Sequence, residues 1–245
     1  MRRLLIVPAA GIGSRLKASV PKALVPVAGR PMIDRVLDLY AAYIEHAVVV
    51  AHPSFADTLR GRGRADVTIV EQPEPTGMLD AILLATPVVR ERVPDRVWIT
   101  WCDQVAVLPA TIERLAAAEA DEPALVFPTV TRADPYIHVV RDASGQIVDV
   151  LHRREGDALP PAGESDMGLF ALARGAFERL PEYARALTPG RATRERNFLP
   201  FIPWLSSRAA VATVPCTDVR EAVGINTPDE LRTAEAWLRE REAVR

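Results

Sequence analysis

The 245-residue sequence contains two cysteines, no long apolar run and no marked excess of either charge. Its first apolar stretch, residues 4–7, ends at Pro8 and is too short for a bilayer span or a secretory signal, so we expect no membrane segment. Cys102 and Cys216 lie far apart, which argues against a disulfide framework or a zinc site and favours a reducing cytoplasm. The formal net charge of −2 gives no reason to expect a nucleic-acid partner.

Short apolar runs alternate with helical patterns through the first half of the chain, which is typical of a parallel sheet flanked by helices. Strands are predicted at residues 3–7, 47–51, 67–71 and 97–101, and helices behind Pro31, from Ser54 and over 78–89. After about residue 123 the pattern changes, with strands predicted at 124–129, 167–173 and 209–214 and a hairpin of 136–141 with 146–152. Further helices are predicted from Arg174, over 194–207 and from Pro228. Residues 154–163 are predicted to form a loose loop.

A glycine-rich turn follows the first predicted strand and reads Ala9-Ala10-Gly11-Ile12-Gly13-Ser14-Arg15. Such a turn presents backbone N–H groups to phosphate oxygens. It is not a dinucleotide fingerprint, because Leu16 stands where the third glycine would be, and no Gly-Lys-Ser/Thr closes it as in a P-loop. Since many tight turns carry two glycines, the loop alone is a weak indication of phosphate binding.

Two cations near the predicted turns could reach the same triphosphate, and a carboxylate lies at the edge of the sheet. Arg15 ends the glycine loop, and Lys22 follows it in a short connection. Taken singly, each cation is more simply interpreted as a solvated surface charge. Asp103 falls just past the predicted strand 97–101, at the edge where open α/β sheets bind ligands.

Two segments, residues 9–16 and 21–33, resemble the signature of sugar-phosphate nucleotidyltransferases, which form NDP-sugars from an NTP and a sugar 1-phosphate. The likeness to N-acetylglucosamine-1-phosphate uridylyltransferases extends along the chain, in order, to residue 227. Three further stretches carry it: the base-recognition residues Gln72, Gly77 and Ala81; Trp101-Cys102-Asp103, where their metal-binding aspartate lies; and Gly224-Ile225-Asn226, where their Gly-x-Asn turn lies.

The resemblance implies an α/β fold with a Rossmann-like mixed, mostly parallel sheet and an acceptor-binding α+β extension. It implies a single domain over residues 1–245, with an NTP-binding half of about 1–122 and an acceptor-binding half of about 123–245. Arg15 and Lys22 would be the catalytic cations, and Asp103 with Asn226 would hold Mg²⁺, an ion that prefers oxygen ligands. The implied nucleotide-binding residues are Ala9, Ala10, Gly11, Gly13, Ser14, Gln72, Gly77 and Met78.

The implied chemistry is transfer of NMP from an NTP to an already ionised phosphate, with release of pyrophosphate. Such an attack needs positioning and charge stabilisation rather than a strong base. Cys102 is therefore interpreted as a small buried residue and not as a nucleophile. The Gln72 and Gly77 arrangement favours CTP or UTP, although Met78 replaces a threonine that helps to bind the base. We expect no hexapeptide-repeat acetyltransferase half after the last helix, and a homodimer remains possible.

The acceptor half departs from the uridylyltransferase pattern at four positions. Tyr136-Ile137-His138 replaces Tyr-Gly-Arg, His152 replaces a glutamate that contacts the sugar, and Asp166 replaces an asparagine. Tyr136, His138, His152 and Asp166 are the predicted acceptor-binding residues. For the two histidines, a surface role explains the change equally well; for Asp166 we favour function.

A carboxylate at position 166 would favour a cationic group on the acceptor. The sequence therefore predicts that the acceptor is not N-acetylglucosamine 1-phosphate. Candidates are an aminosugar phosphate, an aminocyclitol phosphate, an aminophosphonate or phosphocholine, with a neutral sugar 1-phosphate as a close competitor. Two other classes are disfavoured. A non-catalytic nucleotide-binding homologue would be expected to have lost some of the residues Arg15, Lys22, Asp103 and Asn226, all of which are present. A glycosyltransferase usually carries an Asp-x-Asp at the metal-binding strand, whereas Trp101-Cys102-Asp103 offers one carboxylate.

Overall fold

The computed structural model describes residues 1–11, 13–74 and 76–243. Within them, the strands in chain order are β1 (Arg3–Pro8), β2 (Pro26–Val27), β3 (Arg30–Pro31), β4 (His46–Ala51), β5 (Val67–Glu71), β6 (Arg96–Thr100), β7 (Leu125–Ala133), β8 (Ile137–Arg141), β9 (Ile147–His152), β10 (Ala162–Asp166), β11 (Leu169–Ala173) and β12 (Val211–Pro215). The helices are α1 (Met32–Tyr40), α2 (Pro53–Arg60), α3 (Met78–Leu84), α4 (Thr86–Arg92), α5 (Pro109–Ala118), α6 (Arg174–Phe177), α7 (Leu180–Ala186), α8 (Phe201–Ser206) and α9 (Pro228–Ala243).

The central sheet has the order β5-β4-β1-β6-β11-β7-β12, with β10 also paired to β7. Strands β5, β4, β1, β6, β7 and β12 run parallel, while β10 and β11 run antiparallel to them. Strands β8 and β9 form a separate hairpin. The predicted α/β class with a mixed, mostly parallel sheet is confirmed.

The core lies on both faces of the sheet because successive side chains of a strand point to opposite sides. Leu5 and Val7 of β1 belong to an apolar layer with α1, α2, α5 and α9. Leu4 and Ile6 belong to the opposite layer, with α3, α4 and α6 to α8. Because β1 is buried on both faces, its sequence is a continuous apolar run rather than an alternating one.

Strands β10 and β11 are two parts of one bent strand. Residues 167–170 of this strand lie opposite only two residues of β7, 127–128, so two extra residues bulge out of the ladder. The bulge faces the end of β6, where the Gly168 carbonyl accepts hydrogen bonds from the Trp101 amide at 3.1 Å and Thr100 Oγ1 at 3.0 Å. Beyond this point β7 and β10 continue while β6 has ended, and we call the region beside β10 past the end of β6 the notch.

Three predicted elements differ from the structure. The helix predicted over 194–207 is confined to α8, because residues 190–197 form a loop with a turn at 191–193 and Pro200 is the N-cap of α8. The helix predicted over 78–89 is divided into α3 and α4 at Ala85, with a proline in the first turn of α4. The loose loop predicted over 154–163 contains a turn of 3₁₀-helix at Arg153–Glu155 and the start of β10.

Among the described residues, none of the helices combines the length and the apolar character that a membrane crossing requires.

Candidate functional site

Four residues predicted from distant parts of the sequence meet at the carboxyl end of β6. The Lys22 ammonium donates hydrogen bonds to Asp103 Oδ2 and, at 2.8 Å, to Asn226 Oδ1. Arg15 Nη2 donates to the same Asn226 oxygen at 3.1 Å. Two cations and two oxygen-bearing side chains therefore form one cluster where β6 ends.

Local structure fixes each member of this cluster. Lys22 begins a 3₁₀ turn, Lys22–Leu24, and packs so closely on Gly13 that a Cβ at Gly13 would lie 2.7 Å from Lys22 Cβ. Asn226 precedes α9, where the Glu230 carboxylate accepts the amide N–H groups of Asn226 and Thr227, each at 2.8 Å. The Glu230 carboxylate thus binds the backbone of the candidate metal ligand Asn226 at the start of α9.

The charge state of the cluster follows from competing effects. Burial is the largest single effect on the pKa of Lys22 and lowers it, but the charge of Asp103, the neighbouring Cys102 and the hydrogen bond to Asp103 together outweigh it, so the pKa lies above the ordinary 10.5. The stabilisation from this pair is therefore complete below pH 10.5 and is lost only as the pH rises further. Burial raises the pKa of Cys102 to about 12, which leaves a neutral thiol and agrees with its predicted structural role.

The residues around Asp103 fit a hard divalent cation. Within the described residues, Asp103 Oδ1 and Gln104 Oε1 are buried and have no hydrogen-bond partner. No group of three or more His, Cys, Asp or Glu suited to a metal occurs in the described chain. Mg²⁺ typically takes one or two protein carboxylates together with substrate phosphates and water. The oxygens of Asp103 and Asn226 match that donor set.

The glycine loop presents only part of its backbone to the cluster. The Ala9 amide donates to the Val50 carbonyl at 2.7 Å, so this predicted phosphate donor is already engaged by the sheet. Ala10 is buried and Gly11 is exposed, while Ser14 begins a short 3₁₀ turn. Ile12, the central residue of the predicted loop, lies outside the described residues.

The residues predicted to recognise the base lie together after β5. Gln72 is buried, and its Nε2 donates a hydrogen bond to the Gly77 carbonyl at 3.4 Å. Met78, half-buried, begins α3. Gly77 has a φ of +127° and packs directly on the backbone of Arg196, which bonds to the Thr76 carbonyl at 2.9 Å.

We expect Gly77→Ala to lower the free energy of unfolding by about 2–4 kcal/mol, because overpacking adds to an unfavourable φ. The added Cβ would lie 2.5 Å from the nitrogen and oxygen of Arg196, which are backbone atoms. Gly63→Ala is the matched control, since Gly63 also has a positive φ of +68° but open space around it. Urea denaturation of both variants measures the difference; equal losses would contradict the packing argument.

The predicted acceptor residues lie on or beside the hairpin β8–β9. Tyr136 is 40% exposed, and its ring packs edge-on against His152 with centroids 5.2 Å apart. Burial lowers the pKa of His152, which favours its neutral form at pH 7. His138 Nδ1 is hydrogen-bonded to the Glu164 carbonyl of β10 at 3.0 Å, so its ring fixes the hairpin against the sheet.

Asp166 ends β10 at the base of the notch and is 9% exposed. Its Oδ2 accepts the Gly168 amide at 2.8 Å. Burial raises the pKa of this carboxyl to about 6 from an ordinary 3.8. Because the pKa is higher in the folded state than in the unfolded state, ionisation of Asp166 lowers the free energy of unfolding. This effect is absent below about pH 4 and complete above about pH 6. It is on the order of 3 kcal/mol at pH 7.

Glu155 organises the loop of residues 190–197, and no sequence pattern indicated this role. Its carboxylate accepts hydrogen bonds from the Ala192 amide, Thr193 Oγ1 and Asn197 Nδ2 at 3.0, 2.5 and 2.9 Å. Burial alone would raise the pKa of Glu155, but these hydrogen bonds lower it to about 2. The loop in turn carries Arg196, which packs on Gly77. The turn after the hairpin is thus linked to the base-recognition region.

We expect Glu155→Ala to raise the rate of trypsin cleavage within residues 190–197 by about tenfold, since local opening governs proteolysis of a loop. Glu195→Gln, which removes only the exposed pair with Arg154, should change the rate little. Because the carboxyl pKa is about 2, wild-type protection should not vary between pH 6 and 9. Identical cleavage in the two variants would rule out an anchoring role.

Comparisons with known proteins show the family to which the chain belongs. The family model of the MobA-like NTP transferase domain matches residues 5–182. The chain is similar to bifunctional protein GlmU of Alkalilimnicola ehrlichii, at 32% identity over 98% of this chain and 51% of the relative. It is also similar to bifunctional protein GlmU of Cupriavidus necator, at 36% identity over 71% of this chain and 39% of the relative.

The chain thus spans about half the length of the curated relatives it matches at full coverage, such as bifunctional protein GlmU of Halorhodospira halophila, which is 30% identical. The family match covers the glycine loop, Lys22, Asp103 and the whole notch. The matches that cover 98% of the chain also extend over position 226. The chain therefore belongs to the family of MobA-like NTP transferase domains, and it is a nucleotidyltransferase.

Proposed function

We propose that this protein transfers NMP from CTP or UTP to a phosphorylated small molecule, with Mg²⁺ as cofactor and pyrophosphate as the second product. The observation that carries the proposal is the cluster at the end of β6. There Arg15, Lys22, Asp103 and Asn226 bring two cations and two metal-type oxygen donors together beside a glycine loop. A triphosphate needs both kinds of group to be neutralised and held in line.

The two substrates would approach the cluster from opposite sides of the notch. The glycine loop after β1 and Gln72 after β5 lie on one side of β6, which suits the NTP. The wall of β7 and β10 lies on the other side, with the hairpin packed against it, which suits the acceptor. This arrangement supports an NTP-binding half of about residues 1–122 and an acceptor-binding half from about residue 123.

In the proposed step, an ionised oxygen of the acceptor phosphate forms a bond to the α-phosphorus, and the bond from that phosphorus to pyrophosphate breaks. No proton must be removed, so the residues act by position and charge. Lys22 would hold its ammonium against the α-phosphate, and Arg15 would neutralise the β- and γ-phosphates. Mg²⁺, held by Asp103 and Asn226, would supply further neutralisation of the triphosphate.

A pyrimidine base is favoured by the buried Gln72 amide beside the Gly77 carbonyl, which place a donor and an acceptor next to each other. The phosphorylated acceptor could be a sugar 1-phosphate, as the relatives' family suggests. It could equally be an aminocyclitol phosphate, a phosphonate or phosphocholine, since Asp166, His138 and His152 depart from the uridylyltransferase pattern.

The proposal is tested by measuring pyrophosphate release with each of the four NTPs against a panel of phosphorylated acceptors in Mg²⁺. The panel contains sugar phosphates, phosphonates, phosphoethanolamine and phosphocholine. We expect turnover with CTP or UTP and at least one acceptor, and its loss when EDTA removes the metal. Nucleotide binding without turnover for any pair would instead support a non-catalytic homologue.

A further inference from the structure

We infer that the acceptor carries a cationic nitrogen, and that the Asp166 carboxylate at the base of the notch binds it. This inference rests on the proposed function and names the substrate class of the same site. It concerns the part of the acceptor that lies away from its phosphate.

The position of Asp166 follows from the register of the strands. Asp166 pairs with Thr129 of β7, and Leu169 pairs with Thr100, the last residue of β6. Asp166 therefore lies just past the level at which β6 ends. Among the described strands, β10 forms a ladder only with β7, and strand β8 of the hairpin packs on it, with His138 Nδ1 hydrogen-bonded to the Glu164 carbonyl. Directly opposite residues of an antiparallel pair share a face, so Asp166 lies on the face of Thr129.

The hairpin and Trp101 border that same face. Phe127, two residues before Thr129, belongs to the apolar layer that also contains hairpin residues Ile137 and Val139. The half-buried indole of Trp101 packs on Gly168, where a Cβ would lie 2.3 Å from its Cδ1. Gly168 is also the residue whose amide Asp166 accepts. The indole edge of Trp101 and the Asp166 carboxylate thus both contact Gly168.

The charge of Asp166 has no partner within the described protein. None of the ion pairs between described residues involves Asp166, although it is more than nine-tenths buried. Arg141, the cation on the facing hairpin strand, is bound by both carboxylate oxygens of Glu164, at 2.7 Å each. A buried carboxylate without a cation is costly unless a ligand supplies one.

The hydrogen bond to Gly168 does not explain the carboxylate. The carbonyl oxygen of an asparagine could accept the same amide N–H without the desolvation cost of a charge. An aspartate at this position is therefore explained better by recognition of a positive group than by support of the bulge. Perturbed buried carboxyls in clefts commonly mark such sites.

The experiment compares paired acceptors, one with a charged nitrogen and one without, using the NTP that gives turnover. One pair is glucosamine 1-phosphate and N-acetylglucosamine 1-phosphate; the other is phosphoethanolamine and ethyl phosphate. We expect kcat/KM for the charged member of at least one pair to exceed that of its neutral partner by at least about 30-fold. Asp166→Asn should reduce this preference to within about threefold, through loss of activity with the charged member alone.

Glu164→Gln is the matched control, because Glu164 is two residues away on the same face but is already neutralised by Arg141. It should keep the wild-type preference. Equal kcat/KM for both members of each pair in the wild-type protein would overturn the inference, and this comparison stands even if Asp166→Asn fails to fold. An equal decrease in kcat/KM for the charged and the neutral acceptor in Asp166→Asn would also overturn the inference. No turnover with any acceptor and any NTP would overturn the proposed function itself.

Discussion

Lys22→Met is expected to lower kcat by about 10²–10³-fold, the loss typical for one preorganised charge at a reacting centre. The Lys22 ammonium is held by Asp103 and Asn226 at the end of β6, where the α-phosphate would bind. Methionine has a similar length and fits an apolar environment, but it provides no positive charge. Pyrophosphate release measures kcat, and thermal unfolding shows whether the variant folds.

The chain contains a matched control residue for this experiment. Its only lysines are Lys17 and Lys22, and Lys17 is exposed on the loop that leads to the cluster. Lys17→Met should leave kcat within about twofold of wild type, since a solvated charge contributes little. A loss of kcat of similar size in both variants would mean that Lys22 acts through the general charge of the loop and not at the reacting phosphate.

Asp103→Asn is expected to reduce kcat/KM by about 10²–10³-fold and to raise the Mg²⁺ concentration needed for half-maximal activity. An amide keeps one oxygen of the carboxylate but removes its charge, so the metal and Lys22 both lose their anionic partner. Titration of Mg²⁺ at fixed NTP checks this expectation. Asp134→Asn, at an exposed carboxylate after β7, should leave the Mg²⁺ dependence unchanged.

The same variant should also change the pH profile. Burial is the largest effect on the pKa of Lys22 and lowers it, and Asp103 supplies most of the opposing effects, so the pKa of Lys22 falls without Asp103. The residual activity of Asp103→Asn should therefore decline with rising pH at a lower pH than in the wild type, where the ammonium remains charged above pH 9. If the activities of the variant and the wild type declined over the same alkaline pH range, Lys22 would not depend on Asp103 for its charge.

The parallel part of the fold could be predicted because its strands are buried on both faces and so appear as unbroken apolar runs. Strand β10 could not be predicted, because its sequence, Ala-Gly-Glu-Ser-Asp, has no apolar face. That strand borders the notch and the hairpin, where polar residues serve a site rather than a core. The helix predicted over 194–207 failed since Glu155, far away in sequence, draws residues 190–197 into a loop.

The features of the site also divide into those that could be predicted from the sequence and those that could not. Arg15, Lys22, Asp103 and Asn226 could be predicted because family resemblance identifies positions that contact one another, and the structure brings them together. Sequence resemblance gives no information on hydrogen-bond partners or packing distances. It could not reveal that the Ala9 amide is already taken by the sheet, or that Gly77 is required by the backbone of Arg196.

The hydrogen bond between Arg15 and Asn226 joins residues 211 positions apart. Contacts of such long range form late in folding, because closing the intervening chain costs entropy before any contact forms. During synthesis, the glycine loop and Asp103 leave the ribosome well before the turn that supplies Asn226. Catalytic competence should therefore be among the last properties acquired, and in refolding it should follow, not precede, the burial of Trp237 in α9.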